Sequence, residues 1–163
     1  MELEPWMRGT HGELDPVVRA VVHALELAEE DVSRWCRELD DAAMFATPAG
    51  LAPVAFHLRH VARSLDRLLT YAEGRTLSEA QLGELKTEMA AGDAAHVLAE
   101  FFWGVCAAKG RVKALSAGSF GEVREIGRKK LPTTVAGLLV HCADHTQRHV
   151  GQVVVTVKVV AKI

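Results

Sequence analysis

The chain has 163 residues, 49% of them hydrophobic and 25% charged, which fits a single domain over 1–163 whose core stands without disulfide staples. A net charge of −2, from interspersed acids and bases, leaves no basic stripe, so no nucleic acid is expected as a partner. Three cysteines without a Cys-x-x-Cys pair, a start that lacks a signal peptide's basic and apolar regions, and no apolar run of the roughly 18 residues that span a membrane predict a cytoplasmic protein with no membrane partner.

Residues 1–13, with Pro5, Gly9 and Gly12, read as an irregular lead-in that Trp6 pins to the body. From about residue 14 to 39 the apolar positions Val17, Val18, Val21, Val22, Leu25, Ala28, Val32 and Trp35 recur every three or four residues, the period of an amphipathic helix. Asp15 before Pro16 resembles an N-cap with proline at the first helical position. Thr47-Pro48-Ala49-Gly50 predicts a loop. A second helix fits residues 53–73, with Val54, Phe56, Val61, Leu65, Leu68 and Leu69 apolar and Gly74 as its C-terminal stop.

A short polar helix is predicted over about 78–90, opened by the capping box Ser78-Glu79-Ala80-Gln81. A third long helix follows over about 93–115, carrying Val97, Leu98, Phe101, Phe102, Val105 and Val112. Residues 116–132, with Gly118, Gly121, Gly127 and the basic run Arg128-Lys129-Lys130, read as a surface loop, the run being solvated or forming a lip for an anionic substrate. The fourth long helix, about 133–161, begins at a Thr133 or Thr134 cap. Its tail over 153–160 is β-branched enough to suggest a strand, but no other segment offers a strand partner and the histidine spacing upstream needs a helix. That apolar tail also suits the interface of a homodimer. The architecture expected is all-α, a four-helix bundle with one additional short helix, either up-down-up-down or with a crossover.

His141, His145 and His149 follow one another at four-residue steps on the last helix. Each step turns about 400° and rises about 6 Å, so neighbours stack on one face. Over eight residues the face drifts by about 80° and climbs about 12 Å, too far for one ion with metal–nitrogen bonds near 2.1 Å. One adjacent pair, 141/145 or 145/149, can therefore bind an ion, and the second helix offers His57 or His60 as a further ligand. His145 belongs to both pairs. Three neutral imidazoles with one open position make catalytic rather than structural zinc-type sites. Asp144 is a candidate to orient a ligand ring, and Cys142 reads as core. His11, His23 and His96 lack company and read as structural.

The stretch His57-Leu58-Arg59-His60-Val61-Ala62-Arg63-Ser64-Leu65-Asp66-Arg67, followed by His141-x3-His145-x3-His149-x-Gly151-Gln152, resembles the DinB-like family, which includes the YfiT-type metal-dependent hydrolases. The resemblance covers most of the chain from about residue 15. It implies a four-helix bundle holding a divalent ion by one histidine of the second helix and two of the last. Matched residue by residue, these ligands fall on His60, His145 and His149, which makes His57 and His141 pocket or outer-sphere residues beside Asp144. The family's bacillithiol and mycothiol S-transferases and a thiol-dependent isomerase imply that the ion activates a thiol.

Two functions of different class are expected from this. The first is a metal-dependent enzyme, a thiol S-transferase or hydrolase, in which the ion activates a low-molecular-weight thiol or water for attack on a small-molecule substrate. The alternative is a non-catalytic metal-binding or stress-related interaction protein whose ion is structural. Imidazole-rich sites suit several metals, so zinc or nickel is expected first, then iron or manganese. No glutamate base is recognisable beside the ligands, which favours the thiol version over the hydrolase.

Overall fold

The apolar period that begins at Val17 becomes α1 (Pro16–Cys36), in a computed structural model that describes residues 3–161. The Asp15 carboxylate accepts the Val17 N–H at 2.8 Å and Pro16 occupies the first turn, so the helix starts where local chemistry places it. A short α2 (Asp41–Phe45), capped by Asp40, follows and leads to α3 (Val54–Ala72). Gly74 ends α3 with φ at 76°, the left-handed conformation that lets the Arg75 N–H reach the Thr70 carbonyl at 3.0 Å.

The capping box at Ser78 and Gln81 forms, but α4 covers only Glu79–Glu84 instead of running to residue 90. Next come α5 (Ala94–Ala114), capped by Asp93, and the long α6 (Val135–Ala161). The Thr134 hydroxyl accepts the Gly137 N–H at 3.1 Å at the start of α6. The valine-rich tail stays helical because Val153, Thr156 and Val157 are buried against the bundle, and that packing overrides β propensity. Val155 and Val159 on the same turns are about half exposed. Among the described residues no helix is long and apolar enough to cross a membrane.

Two expectations fail outside the helices. Residues 116–132 are not a plain loop: β1 (Val123–Ile126) pairs antiparallel with β2 (Leu131–Thr134), Val123 opposite Thr134 and Ile126 opposite Leu131. Four-residue strands are too short to leave a period in the sequence. The hairpin clasps the C-terminal end of α3, where Arg124 donates to the Ala72 carbonyl at 3.0 Å and the Gly127 N–H to the Tyr71 hydroxyl at 3.3 Å. Trp6 does not pin the lead-in. It is 63% exposed, and the segment is held by buried Pro5 and an Arg8–Glu30 bridge at 2.5 Å.

α1 packs on α5 and α6, and α3 packs on the same two helices, so α1 stands diagonally opposite α3. Side-chain pairs give the directions. Ala24 meets Gln147 and Trp35 meets Lys158, so α1 and α6 are parallel. His57 meets His149 and His60 meets His145, so α3 and α6 are antiparallel. Arg63 meets Glu100 and Glu73 meets Arg111, so α3 and α5 are parallel. The order is up-down-down-up, the crossover form of the bundle.

Parallel α3 and α5 oblige the chain between them to travel back along α3. Gln81 reaches Asp66 and Thr70, the Glu84 carbonyl accepts from Arg63, and Glu88 arrives beside His60. The core between the long helices is filled by Leu25, Leu58, Leu65, Leu69, Phe101 and Leu139, all essentially inaccessible, each worth about 1.5–3 kcal/mol of burial. Gly104 sets the α3–α5 spacing: a Cβ there would stand 2.7 Å from that of Ala62.

Candidate metal centre

The antiparallel contact of α3 and α6 brings His60 together with His145 and His149, their ligating nitrogens all within 4.8 Å of one another. Ring centroids are 4.9 Å apart for His60 and His145, and 4.5 Å for both His60–His149 and His145–His149. Ligands at tetrahedral corners around an ion with bonds near 2.1 Å stand about 3.4 Å apart, so small rotamer adjustments close the site. The 145/149 pair is the one that faces α3. His141, one turn earlier, has drifted off the face and leaves 46% of its side chain exposed, with its ring 5.2 Å from that of His145.

The ring nitrogens differ in how far they are already engaged. Nδ1 of His60 lies 2.7 Å from Glu88 Oε2, and Nδ1 of His149 lies 2.9 Å from Nδ1 of His57. With His60 donating to the carboxylate and His149 donating to His57, each keeps an Nε2 lone pair, that of His60 with the Ser64 hydroxyl 3.4 Å away. His145 Nε2 is buried and has no hydrogen-bond partner at all. A buried unpaired ring nitrogen is costly, and a cation is the partner that satisfies it.

His145, His149 and His57 are held toward the neutral form. Burial first, then His60, His141 and Arg148, push His145 down to about 4 against a smaller opposing effect of Asp144. Burial first, then His145, His60, His57 and Arg148, hold His149 at about 4 as well. His57 is also lowered, by burial and then by His60. Neutral imidazoles are the form that binds metal, so this cluster does not have to shed protons near neutrality at these positions. Phe56 lies against the cluster, stacked on His60 at 5.3 Å and edge-on to His57 at 5.2 Å.

Glu88 is the residue that sequence reasoning missed. Beyond Glu84 the chain is irregular, and it lays Glu88, only 6% exposed, between His60 and Arg67, whose Nη2 donates to Oε1 at 3.1 Å. Arg59, Arg63 and Arg67, at four-residue steps on one face of α3, fasten this segment: Arg59 donates to the Ala90 carbonyl and Arg63 to Thr87 Oγ1. Arg59 and Arg63 also pair with Glu100 of α5, so the arginine stripe signals acidic neighbours along α3 without naming Glu88.

Of the other candidates, His57 supports His149 as described. Asp144 is 54% exposed, bonds Arg148 at 2.6 Å and stands 3.9 Å from His141 Nδ1, at the exposed side of the last helix beside His145. Cys142 is fully buried core, its thiol pushed up to about 12 by burial. The basic run Arg128-Lys129-Lys130 lies in the hairpin at the C-terminal end of α3, whereas His57 and His60 lie near its N-terminus, about 18 Å away along the helix axis. It forms no lip to the cluster.

A sequence profile of the DinB superfamily matches residues 24–153. The chain belongs to the DinB superfamily. No curated protein matches it. The crystal structure of a conserved protein from Enterococcus faecalis resembles this DinB-superfamily chain with a TM-score of 0.74 and 19% identity, covering 90% of this chain and 98% of that one. At that identity the likeness shows the fold alone. Within the DinB fold, then, this chain carries a histidine cluster that can hold a metal ion.

Proposed function

We propose that this DinB-superfamily chain is a metal-dependent enzyme that activates a low-molecular-weight thiol, or water, for attack on a small electrophilic substrate. The observation that carries the reading is the orphaned Nε2 of His145, buried beside two further imidazoles whose Nδ1 atoms are already engaged. His60, His145 and His149 would hold the ion, and among the described residues no fourth ligating group joins them. When bound, the ion supplies Lewis acidity that brings the pKa of a thiol or water toward neutrality. Zinc or nickel suits three imidazoles best, with iron or manganese next.

The protein's own part is to fix those rings. Glu88 holds His60, His57 holds His149, and Phe56 walls the cluster with an aromatic face. The carboxylate nearest the rings, Glu88, is occupied by His60 and Arg67, so it is not a free base for deprotonating water. A thiol ionises more readily than water and needs no such base, which is why the thiol reading is placed first.

Elemental analysis of untagged protein, followed by a thermal-shift screen and transfer assays with the common cellular thiols, tests this. Stoichiometric metal, and activity lost in His145→Ala, are expected. Protein without metal, or activity indifferent to that substitution, sinks the enzyme. An ion that stabilises strongly while every assay stays silent would support the structural alternative, in which it ties α3 to α6.

A further inference from the structure

His11 and His23 read singly as structural histidines, yet the fold brings them together. His23 and Glu26, three residues apart, share one face of α1, and the lead-in folds back so that His11 lies over them. Ligand atoms of His11, His23 and Glu26 all lie within 4.8 Å of one another. His11 Nε2 is 2.7 Å from Glu26 Oε1, Thr10 Oγ1 is 3.0 Å from His23 Nε2, and the two rings are 5.6 Å apart.

We propose that His11, His23 and Glu26 form a second divalent-cation site, of zinc-type chemistry, that fastens the N-terminal lead-in to α1. Two imidazoles and one carboxylate are a donor set that zinc takes in other proteins, and small rotamer changes bring donors to the spacing of about 3.4 Å that tetrahedral coordination requires. An ion can reach the cluster. A cleft of about 340 Å³ opens on His11 and Glu26, and another of about 300 Å³ opens on Thr10 and His23. Of the nearby charges, Lys109 is matched with Glu29 at 2.5 Å and Arg8 with Glu30 at 2.5 Å, while the exposed Glu13 carboxylate stands 4.0 Å from His11 Nδ1, so the Glu26 carboxylate is left to His11 and the ion. None of these ligands belongs to the three-histidine cluster, and the proposal does not depend on that cluster's function.

The test is zinc stoichiometry and affinity on the full-length, untagged chain, by elemental analysis after dialysis and by competition with a chromophoric chelator. The variants are His60→Ala/His145→Ala/His149→Ala, which removes only the first site, and His11→Asn or Glu26→Gln, which remove only the second. Asn suits position 11 because His11 sits at φ 59°, a left-handed conformation that Asn tolerates. The triple variant should still bind one zinc ion. Adding His11→Asn or Glu26→Gln should abolish that binding while circular dichroism stays helical. Zinc should also slow trypsin cleavage at Arg8 in the triple variant and not in the combined ones. A triple variant that binds no zinc overturns the proposal, and so does a retained ion indifferent to both second-site substitutions. A wild-type chain whose single ion is lost with His11→Asn and kept in the triple variant would support this site and sink the three-histidine reading.

Discussion

Glu88 Oε2 lies 2.7 Å from His60 Nδ1 although 28 residues separate them, and the other carboxylate oxygen accepts from Arg67. A carboxylate behind a ligating histidine fixes the ring's tautomer and makes its far nitrogen more basic. Glu88→Gln should therefore weaken metal affinity by about 10–100-fold with the helices intact. Glu88→Ala should in addition destabilise the protein, because Arg67, 8% exposed, loses its ion-pair partner and breaking a buried pair costs about 3–5 kcal/mol. Metal titration and denaturant unfolding of the two variants separate these effects. Unchanged affinity in Glu88→Gln would mean that the carboxylate serves only the fold.

Chelation should destabilise the wild-type protein and leave His145→Ala almost unaffected at the three-histidine site. An ion present at a hundredfold excess over its Kd stabilises by about 2.7 kcal/mol, and each kcal/mol shifts Tm by about 2–4 °C at this chain length. In the absence of metal the substitution should cost little, since the nitrogen it removes has no partner to lose. Melting curves with and without chelator, on a His11→Asn background, check this at the first site alone.

The metal-free protein should lose stability as the solution is acidified from about pH 6.5 to about pH 4. His145 and His149 titrate near 4 when folded, against an ordinary 6.5 when unfolded. Between those values the unfolded chain takes up protons that the folded one refuses, so falling pH favours unfolding, and the loss is complete below about 4. Above 6.5 both states are neutral at these positions and they add no slope. Denaturant midpoints of chelator-treated protein across this window should fall, and His145→Ala should flatten the curve. A midpoint that does not move would show that the two rings titrate normally in the fold.

Two glycines of α5 should respond oppositely to alanine. At Gly104 a Cβ would stand 2.7 Å from Ala62 Cβ, forcing α3 and α5 apart at a cost of about 1–3 kcal/mol, offset in part by about 1 kcal/mol of helix propensity. At Gly110 nothing lies within 4 Å, so the propensity gain of about 0.5–1 kcal/mol should appear alone. Thermal unfolding of Gly104→Ala and Gly110→Ala measures the contrast. Equal shifts would show that the helices part there without strain.

What the sequence determined by itself was everything carried by near neighbours. The apolar period of α1 and α3, the Asp15-Pro16 start, the Ser78–Gln81 box and the stop at Gly74 each depend on residues within about one helical turn, so they are legible before folding. The drift of a helix face likewise showed that His141, His145 and His149 cannot all serve one ion. Only the tertiary structure decided which histidine pair faces α3, that α3 and α5 run parallel, and that the return path this requires delivers Glu88 to His60. The same holds for His11 and His23, ordinary singly and clustered once the lead-in folds onto α1. The reason is physical: a side chain's long-range partner is chosen by how whole helices pack, and the irregular segments that carry Glu88 and His11 have no period of their own to announce it.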